Sequence, residues 1–439
     1  MKRRGSILSG LSLTLLALVL LPHRGVQAAS VLQEDRALEG VLANLAPNGA
    51  ILASPSASEP NYRYDWVRDS ALTMRALAQI AYDSRTSKEL RERLASRIDL
   101  WIDWELRRQE QNRLTGLGEP RFNLDGSVNE DPWGRPQNDG PAIRALTAIR
   151  IAHQWLKEGR FTAVKDRLYA PRLPANTLIK RDLEFVAHHW SESSFDLWEE
   201  ERANHYYTLV SARVALAQGA LLARRLDDPE AARFYEEQAK QIASFLENFL
   251  EPYSGTIRYA LNRQPGLPHK KSSLDIAVIL AAIQTYDPRG RKESGFEVPI
   301  APTLATLREL DREFEYRYPI NRVNQNRDGE FMGPALGRYP EDIYDGVGFS
   351  GGNPWFLATL AAAEFYCDLS RDRSSALHPK KRSEWQELAR MRFNRVHYHL
   401  NADGSMSEQF NRDRGFEQGA RDLTWSYVAY LTAYRACFR

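Results

Sequence analysis

The sequence predicts an all-α protein whose twelve helices form a closed ring of six pairs, with long loops that build a pocket at one end. Amphipathic helical periodicity recurs along most of the 439 residues, whereas the alternation typical of strands is scarce. The chain also lacks a low-complexity linker or a short repeat, which favours one domain over several modules. The predicted helices, in chain order, are 31–46, 68–84, 89–110, 139–158, 176–190, 203–225, 229–250, 272–286, 297–314, 354–370, 378–396 and 419–436.

Each of these segments is assigned from apolar residues that recur at helical spacing, and 139–158 illustrates the pattern. Asp139 and Pro141 stand at its start, where an acid and a proline are favoured. Its apolar residues then fall on one face of a helix: Ala142, Ala145, Leu146, Ile149 and Ala152.

The connections between these helices alternate between short and long. The turn 226–229 is short, whereas five connections are long and carry Trp, Gly, Pro and acids. Long ordered loops in a compact domain are usually functional. Because alternate loops in a ring of helix pairs emerge at the same end, we expect the five to build one cleft. They are 47–67, 113–138, 191–202, 315–353 and 401–418.

The charge balance argues against a nucleic-acid partner. There are 59 Lys and Arg against 57 Asp and Glu, a net charge of +2, with no long block of like charge. Binding to phosphates needs a clear basic excess or a basic patch. The chain has 10 Trp, 19 Tyr and 17 Phe, which suits a sugar-binding cleft, although most of these side chains must form the core.

The first 28 residues have the features of a secretory signal peptide. Three basic residues near the start precede an uncharged apolar run, 7–21, and small residues follow as far as Ala28. The run is shorter than the roughly 18 residues that favour a spanning helix, so cleavage after Ala28 is favoured over an uncleaved anchor. We therefore expect an exported, monomeric protein with no membrane insertion after cleavage, whose single domain covers 29–439.

Export permits disulfides, and the chain has two cysteines. Cys367 and Cys437 each lie inside an apolar helical pattern. They could form a disulfide, but two buried free thiols are an equal alternative, since free Cys is among the most buried residue types. Two cysteines cannot build a cysteine-based metal site, and the histidines lack metal-ligand spacing. We expect neither a metal nor a cofactor.

An acidic cluster at 196–201 precedes a predicted helix, and it has two interpretations. Acids in the first turn of a helix are favoured by its macrodipole, which would make the cluster structural. Trp198, directly before Glu199, favours the second interpretation. An indole wall desolvates a carboxyl, raises its pKa and keeps it protonated as a general acid. Glu199 and Glu200 are adjacent, and the pattern alone does not decide which of them would act.

A second candidate carboxylate lies near the C-terminus. Glu408 stands in the last long loop, after the turn 401–404. A lone glutamate in a loop is usually just solvated. Two carboxylates that are far apart in sequence but lie on loops of one cleft are, however, what glycoside hydrolysis requires. One serves as the acid for the leaving oxygen, and the other serves as a base for water or as a nucleophile.

Aromatic and charged segments in the same loops could line a binding site. Residues 62–69 place Arg68 next to Asp69, a fork of donors beside an acceptor for neighbouring sugar hydroxyls. A helix cap with a salt bridge is the alternative. Three further aromatic and polar turn segments follow the same pattern: 131–140, 338–342 and 351–355.

These segments resemble those of glycoside hydrolase family 15, the glucoamylases, and more closely the fungal type than the usual bacterial type. The resemblance implies an (α/α)6 barrel, which agrees with the twelve helices assigned from periodicity. It also implies an exo-acting, inverting glucan 1,4-α-glucosidase whose partner is an α-glucan or maltooligosaccharide. Matching segments occur in order over most of 60–435, at 62–72, 117–146, 196–200, 337–357 and 407–427.

The resemblance implies a role for each matched residue. Glu199 would be the general acid, and Glu408 would be the base that activates water. The other matched residues would bind the sugar: Arg68, Asp69, Arg338 and the Leu197 backbone hold the terminal glucose, Tyr62 and Trp66 line its pocket, Trp133 and Trp198 flank the sugars, Glu200 contacts the second unit, and Trp355 and Trp425 close the wall.

The chain departs from the family pattern in two places. The segment 201–205 replaces the small polar run that usually follows the acid. The sequence stops at Arg439 with no mucin-like linker and no starch-binding module. We therefore expect soluble maltodextrins, rather than granular starch, as substrates.

Several alternatives stay open at this stage. A relative of the family could act on α-1,6 or trehalose linkages, and an exported sugar-binding protein could use the same cleft without catalysis. The presence of both carboxylates disfavours the non-catalytic alternative. Residues 348–352 also match G-x-S-x-G, but that nucleophile elbow needs a preceding strand, and 344–347 is predicted to be a glycine-bearing loop.

Overall fold

A computed structural model describes residues 22–111, 114–288, 294–373 and 379–439. The apolar run 7–21 of the predicted signal peptide lies outside these residues. Within them the chain is mostly helical. The helices are α1 (Pro22–Ala43), α2 (Val67–Ala81), α3 (Lys88–Gln111), α4 (Asp139–Lys157), the single turn α5 (Phe161–Ala163), α6 (Leu178–His189), α7 (Tyr206–Arg225), α8 (Pro229–Leu246), α9 (Ala277–Thr285), α10 (Ile300–Arg317), α11 (Phe356–Arg371), α12 (Pro379–His399) and α13 (Thr424–Phe438).

The helices form two concentric rings. The inner ring contains α2, α4, α7, α9, α11 and α13; each packs against the next, and α13 packs against α2 to close the ring. The outer ring contains α1, α3, α6, α8, α10 and α12, and each of these packs against an inner helix. Apart from the turn α5, every helix overlaps one of the segments assigned from periodicity. The predicted fold class, an (α/α)6 barrel, is confirmed.

Composition explains which helices lie inside. Helix α11 is buried from Phe356 to Ser370 and is rich in alanine, so it can pack against neighbours on all sides. Helix α7 is likewise buried over most of its length. Outer helices such as α8 are buried on one stripe only and carry charged residues on the other face.

Every inner helix follows an outer helix in the chain, so the outer-to-inner connections all lead to the N-terminal ends of the inner helices. The five predicted long loops are connections of this kind. The structure adds a sixth, residues 247–276, because α9 begins at Ala277 and not at residue 272 as predicted. Six long loops therefore emerge at this end of the barrel, and not five.

Short strands join these loops to one another. Strand β1 (Asp65–Trp66) pairs with β2 (Arg121–Phe122). Strand β4 (Arg202–His205) pairs with both β3 (Ser194–Phe195) and β5 (Ala260–Gln264). Strand β6 (Gln409–Phe410) pairs with β7 (Glu417–Gln418). All of these pairs are antiparallel.

Strand pairing also explains two wrong helix starts. The predicted helix 203–225 begins only at Tyr206, because 202–205 form the central strand β4. The predicted helix 419–436 begins at Thr424, because the preceding segment pairs in β7 and then turns. At the first position, pairing with the distant strand β5 outweighs local helical preference; at the second, residues 419–423 form the turn that follows the β6–β7 hairpin.

The first and last loops close the ring through Thr424. Its backbone N–H donates to the carbonyl of Ala53 at 2.8 Å. Its hydroxyl donates to the carbonyl of Leu52 at 2.5 Å and accepts from the side-chain amide of Asn44 at 2.8 Å. These contacts dock the N-terminus of α13 beside the start of α2.

The two cysteines are joined in a disulfide, which decides between the two alternatives left open by the sequence. Cys367 of α11 and Cys437 of α13 have Cα atoms 5.1 Å apart. The bond therefore connects two neighbouring helices of the inner ring.

In the part of the chain that the structure describes, no helix combines the length and the apolar character needed to cross a membrane.

Replacing both cysteines by serine should lower the free energy of unfolding by about 4 kcal/mol, because the bond closes a loop of some 70 residues in the unfolded chain. Urea denaturation followed by tryptophan fluorescence measures this change. A reductant provides the control, since it should lower the unfolding midpoint of the parent but not that of the double variant. Equal midpoints for the oxidised parent and the variant would contradict the prediction.

Candidate active site

A cavity of about 620 Å³ opens at the end of the barrel where the long loops meet. Every site residue predicted from the sequence lines it: Tyr62, Trp66, Arg68, Asp69, Trp133, Leu197, Trp198, Glu199, Glu200, Arg338, Trp355, Glu408 and Trp425. The predicted residues are thus brought together from five of the six loops and from the adjoining first turns of α2 and α13. Their individual roles stay predictions.

Glu199 lies at a tight turn between β3 and β4 and has a positive φ of 68°. The Oδ1 atom of Asp196 holds this turn by accepting the backbone N–H groups of Glu200 at 2.8 Å and Glu201 at 3.0 Å. The cluster therefore does not occupy the first turn of a helix, so the interpretation that it serves the helix macrodipole is wrong. A side chain at Gly134 would meet the Glu199 carbonyl at 2.7 Å, so glycine lets this loop pack against the turn.

Two N–H groups fix the orientation of the Glu199 carboxyl. The indole Nε1 of Trp66 donates to Oε1 at 2.6 Å, and the amide Nε2 of Gln137 donates to the same oxygen at 2.9 Å. Burial raises the pKa of Glu199, and the nearby Arg68 acts in the opposite direction. Because Oε1 already accepts two hydrogen bonds, Oε2 is the oxygen that can carry a proton.

The adjacent Glu200 has a different environment. Its Oε1 accepts from Nη2 of Arg338 at 2.8 Å, and its Oε2 accepts from the hydroxyl of Tyr339 at 2.8 Å. Arg338 is itself held by Asp342 through hydrogen bonds of 2.7 Å from Nε and 2.6 Å from Nη2. Both oxygens of Glu200 are therefore engaged by fixed partners, whereas one oxygen of Glu199 is left for a ligand.

Glu408 lies far from Glu199 in the sequence, in the loop that precedes α13. Its backbone N–H donates to the carbonyl of Ala420 at 2.8 Å, and the side-chain amide of Gln409 donates to its Oε2 at 3.3 Å. Burial raises the pKa of Glu408 to about 8, while Arg338 and a hydrogen bond from Tyr62 act to lower it.

Tyr62 connects the two carboxyl groups electrostatically. Its hydroxyl lies 3.2 Å from the hydroxyl of Tyr344, which also interacts with Glu408. The pKa of Tyr62 is raised by burial first, and then by the negative charges of Glu408 and Glu199. Tyr62, Glu199 and Glu408 all line the cavity, so the two carboxyl groups face one space.

Arg68 and Asp69 are held at the start of α2. Nη1 of Arg68 donates to Oε1 of Gln137 at 2.9 Å and to Oδ2 of Asp139 at 3.2 Å, and Nη2 lies 3.3 Å from Oδ2 of Asp69. Both residues also line the cavity, so this fixed charged pair forms part of its polar wall.

Tryptophans form the apolar wall. Trp198 is stacked near Trp425, with ring centroids 6.4 Å apart, and lies 5.7 Å from Trp355. The indole N–H of Trp198 donates to the Asp275 carboxylate at 3.1 and 3.2 Å, and Asp275 accepts from Lys270 at 2.6 Å. The sixth loop thus supports the wall from behind.

On the other side of the cavity, an arginine supports Trp133. The guanidinium of Arg121 lies 3.8 Å from the centre of the Trp133 ring and 5.3 Å from that of Trp66. Its Nη2 also donates to the amide oxygen of Asn129 at 2.5 Å. Cation–π contacts of this kind hold both rings in place.

The segment 201–205, which departs from the family pattern, has a structural role here. Glu201 is buried and accepts hydrogen bonds from the Tyr259 hydroxyl at 2.8 Å, from Nε of Arg263 at 2.5 Å and from the Leu267 N–H at 3.1 Å. All three partners belong to the sixth loop. Glu201, the first residue of this departing segment, therefore attaches the sixth loop to the turn that carries Glu199.

Sequence reasoning missed several residues that shape the site. Gln137, Tyr339 and Asp342 stand inside segments that were singled out as binding loops, but their roles depend on partners from other loops. Lys270 and Asp275 belong to the sixth loop, which was not recognised. The signal that could have found them is the length of that connection.

Comparisons with known proteins agree with this architecture. Residues 28–435 match the sequence profile of the family described as Glycosyl hydrolases family 15. The chain is 37% identical over 429 residues to a glucoamylase of Blastobotrys adeninivorans, covering 88% of this chain and 67% of that protein. It is 34% identical over 415 residues to a probable glucoamylase of Schizosaccharomyces pombe, covering 88% and 84%.

Solved structures show the same likeness. The glucoamylase of Hormoconis resinae superposes with a TM-score of 0.80 at 30% identity, over 94% of this chain and 74% of that one. The glucoamylase of Saccharomycopsis fibuligera superposes with a TM-score of 0.79 at 28% identity, over 94% and 95%.

Replacing Glu408 by glutamine should stabilise the protein as the pH rises. The folded state binds a proton at Glu408 up to about pH 8, whereas an unfolded glutamate loses it near pH 4.5, so the parent loses stability between these values. The variant has no such proton, and its advantage in the free energy of unfolding should reach roughly 5 kcal/mol above pH 8.

Urea denaturation at a series of pH values measures this difference. The comparison at pH 4 is the internal control, because Glu408 is then neutral in both the folded and the unfolded parent. A stability difference that stays constant from pH 4 to pH 9 would refute the assigned environment of Glu408.

Proposed function

The chain belongs to glycoside hydrolase family 15, and we propose that it acts as an inverting glucoamylase that releases β-D-glucose from the non-reducing ends of soluble α-glucans and maltooligosaccharides. It is a glycoside hydrolase, a glucan 1,4-α-glucosidase, as its similarity to glucoamylases over most of its length indicates. The observation that carries the finer proposal is the presence of Glu199 and Glu408 in one cavity with a tryptophan wall.

Glu199 is the general acid in this proposal. Its Oε1 accepts from Trp66 and Gln137, so the protonated form carries its proton on Oε2. Burial favours this neutral form. Oε2 donates the proton to the glycosidic oxygen as the bond to the anomeric carbon breaks, and the rest of the chain leaves as an alcohol.

Glu408 is the general base. In its ionised form it accepts a proton from a water molecule, and the oxygen of that water attacks the anomeric carbon from the face opposite to the leaving group. The configuration is inverted, so an α-linked glucan yields β-glucose. Arg338 and Tyr62 act to stabilise the ionised carboxylate and so support this role.

Both carboxyl groups have raised pKa values because both are buried. The productive form of the pair carries a proton on Glu199 and none on Glu408, and it is one of the two singly protonated forms. The ratio of these two forms does not change with pH. The pH profile of kcat/KM is therefore bell-shaped, and its acidic and alkaline limbs report pKa values of the pair rather than of either residue alone.

The remaining predicted residues bind the sugar. Arg68, Asp69 and Arg338, with the backbone of Leu197, hold the hydroxyls of the terminal glucose, and all four residues line the cavity. Aromatic rings cover its apolar faces: those of Tyr62, Trp66, Trp133, Trp198, Trp355 and Trp425. Glu200 contacts the second unit. Because the helix ends close the cavity at its base, only a chain end can enter.

Export is part of the proposal. The basic start and apolar run of the first 28 residues are typical of a signal peptide, and the Cys367–Cys437 disulfide suits an oxidising compartment.

The function is tested by glucose release from maltotriose, with the anomer of fresh product followed by proton NMR. We expect β-glucose to appear first and to equilibrate with α-glucose afterwards. Glu199→Gln and Glu408→Gln should each lower kcat by about 10²–10⁴-fold, because each removes one proton transfer. Release of α-glucose first would rule out inversion, and no release by the parent between pH 4 and 8 would rule out the activity.

The assignment of the acid is tested with α-glucosyl fluoride, whose leaving group departs as a stable anion and needs no proton. Glu199→Gln should retain activity within about tenfold of the parent on this substrate, but not on maltotriose. The rate of this variant on α-glucosyl fluoride should rise with pH as Glu408 ionises. It should not fall again at higher pH, because no second group must stay protonated.

Glu200→Gln is the matched control for this experiment. It changes the neighbouring carboxylate, which does not donate the proton but contacts the second unit, so its loss on maltotriose should appear mainly in KM, whereas that of Glu199→Gln should appear in kcat. The assignment fails if Glu200→Gln, rather than Glu199→Gln, is the variant whose kcat is lost on maltotriose and retained on the fluoride.

A further inference from the structure

A continuous row of aromatic rings leads from the floor of the cavity to its rim. The successive ring centroids are 5.7 to 6.5 Å apart. In order from the floor outward, the rings are those of Trp425, Trp198, Trp355, Tyr344 and Phe349.

Exposure to solvent changes sharply along this row. The side chains of Trp425, Trp198 and Trp355 are at most 8% exposed, whereas Phe349 is 76% exposed. Val347, on the same loop, is 63% exposed, and both residues line the cavity. A phenylalanine exposed to this degree gains little from folding, and exposed apolar groups at the rim of a groove commonly mark a binding surface.

The loop that carries Phe349 is firmly structured. One carboxylate oxygen of Asp345 accepts the N–H groups of Val347 at 3.0 Å and Gly348 at 2.6 Å, and the other accepts that of Ser350 at 3.3 Å. The Asp345 carbonyl in turn accepts from the side-chain amide of Gln418 at 2.5 Å. The ring is therefore presented on a fixed support, which lowers the entropic cost of binding to it.

We propose that Phe349 is a platform for glucosyl units beyond the first two, so that its ring contributes affinity to longer α-glucans that maltose cannot gain. This inference rests on the proposed function, because it assumes a glucan that enters the cavity by its non-reducing end. A chain that leaves the cavity along the row of rings passes Tyr344 and then reaches Phe349. The apolar face of a sugar ring can stack there, as other rings stack on aromatic side chains.

The test measures affinity without turnover. In the Glu199→Gln background, calorimetry gives the dissociation constants of maltose, with two units, and of maltoheptaose, with seven. Phe349→Ala should lower the preference for maltoheptaose over maltose by about fivefold, because one aromatic stacking contact is lost. Phe349→Trp, which keeps an aromatic face, should keep that preference.

Tyr316→Ala is the matched control. Tyr316 lies on the outer helix α10, is 85% exposed and does not line the cavity, so neither dissociation constant should change. An unchanged preference in Phe349→Ala, or an equal loss of affinity for both sugars, would overturn the inference. Glucose release from maltose by the parent with Glu199 intact reports on the proposed function separately, since the ratio of affinities does not depend on catalysis.

Discussion

The two hydrogen bonds to Oε1 of Glu199 are the contact on which the arrangement of the site depends. Trp66 comes from the first long loop, Gln137 from the second and Glu199 from the third. Gln137 also accepts from Arg68, at the start of α2, and donates to the carbonyl of Gly134. One amide thus connects the proposed acid, the proposed glucose-binding arginine and the loop that carries Trp133. If this contact is displaced, three walls of the cavity move relative to one another.

Two adjacent glutamates have different surroundings because they contact different loops. Glu199 has only neutral N–H donors on one oxygen, whereas Glu200 is paired with Arg338 and bound by Tyr339. Burial raises the pKa of Glu199, which favours its neutral form. The sharp turn held by Asp196 points the two side chains to these different surroundings. Backbone geometry therefore separates the proposed acid from the proposed binding group at neighbouring positions.

The ring of helices could be predicted because each inner helix has its own periodic pattern, and that pattern is a local property. The first loop and the last loop could be assigned to one cleft because the order of helices determines at which end a loop emerges. The resemblance to a family then selected Glu199, which the local pattern alone had left beside an equal candidate, Glu200. The structure was needed where a residue depends on partners far away in the chain.

Three particular cases show this limit. Gln137 is one polar residue among several in its loop, and only the position of Glu199 makes it distinctive. The strand β4 has a sequence compatible with helix, and pairing with β5 from the sixth loop decides its conformation. The exposure of Phe349 is invisible in the sequence, because an isolated phenylalanine is normally predicted to be core. Closure of the ring by the last helix of the barrel has a further consequence, for the order of assembly. Glu408, Thr424 and Trp425 follow all the other loops of the site in the chain, and Arg439 pairs with Glu34 of the first helix at 2.6 Å. A polypeptide that grows from its N-terminus therefore has no complete pocket until α13 has been made.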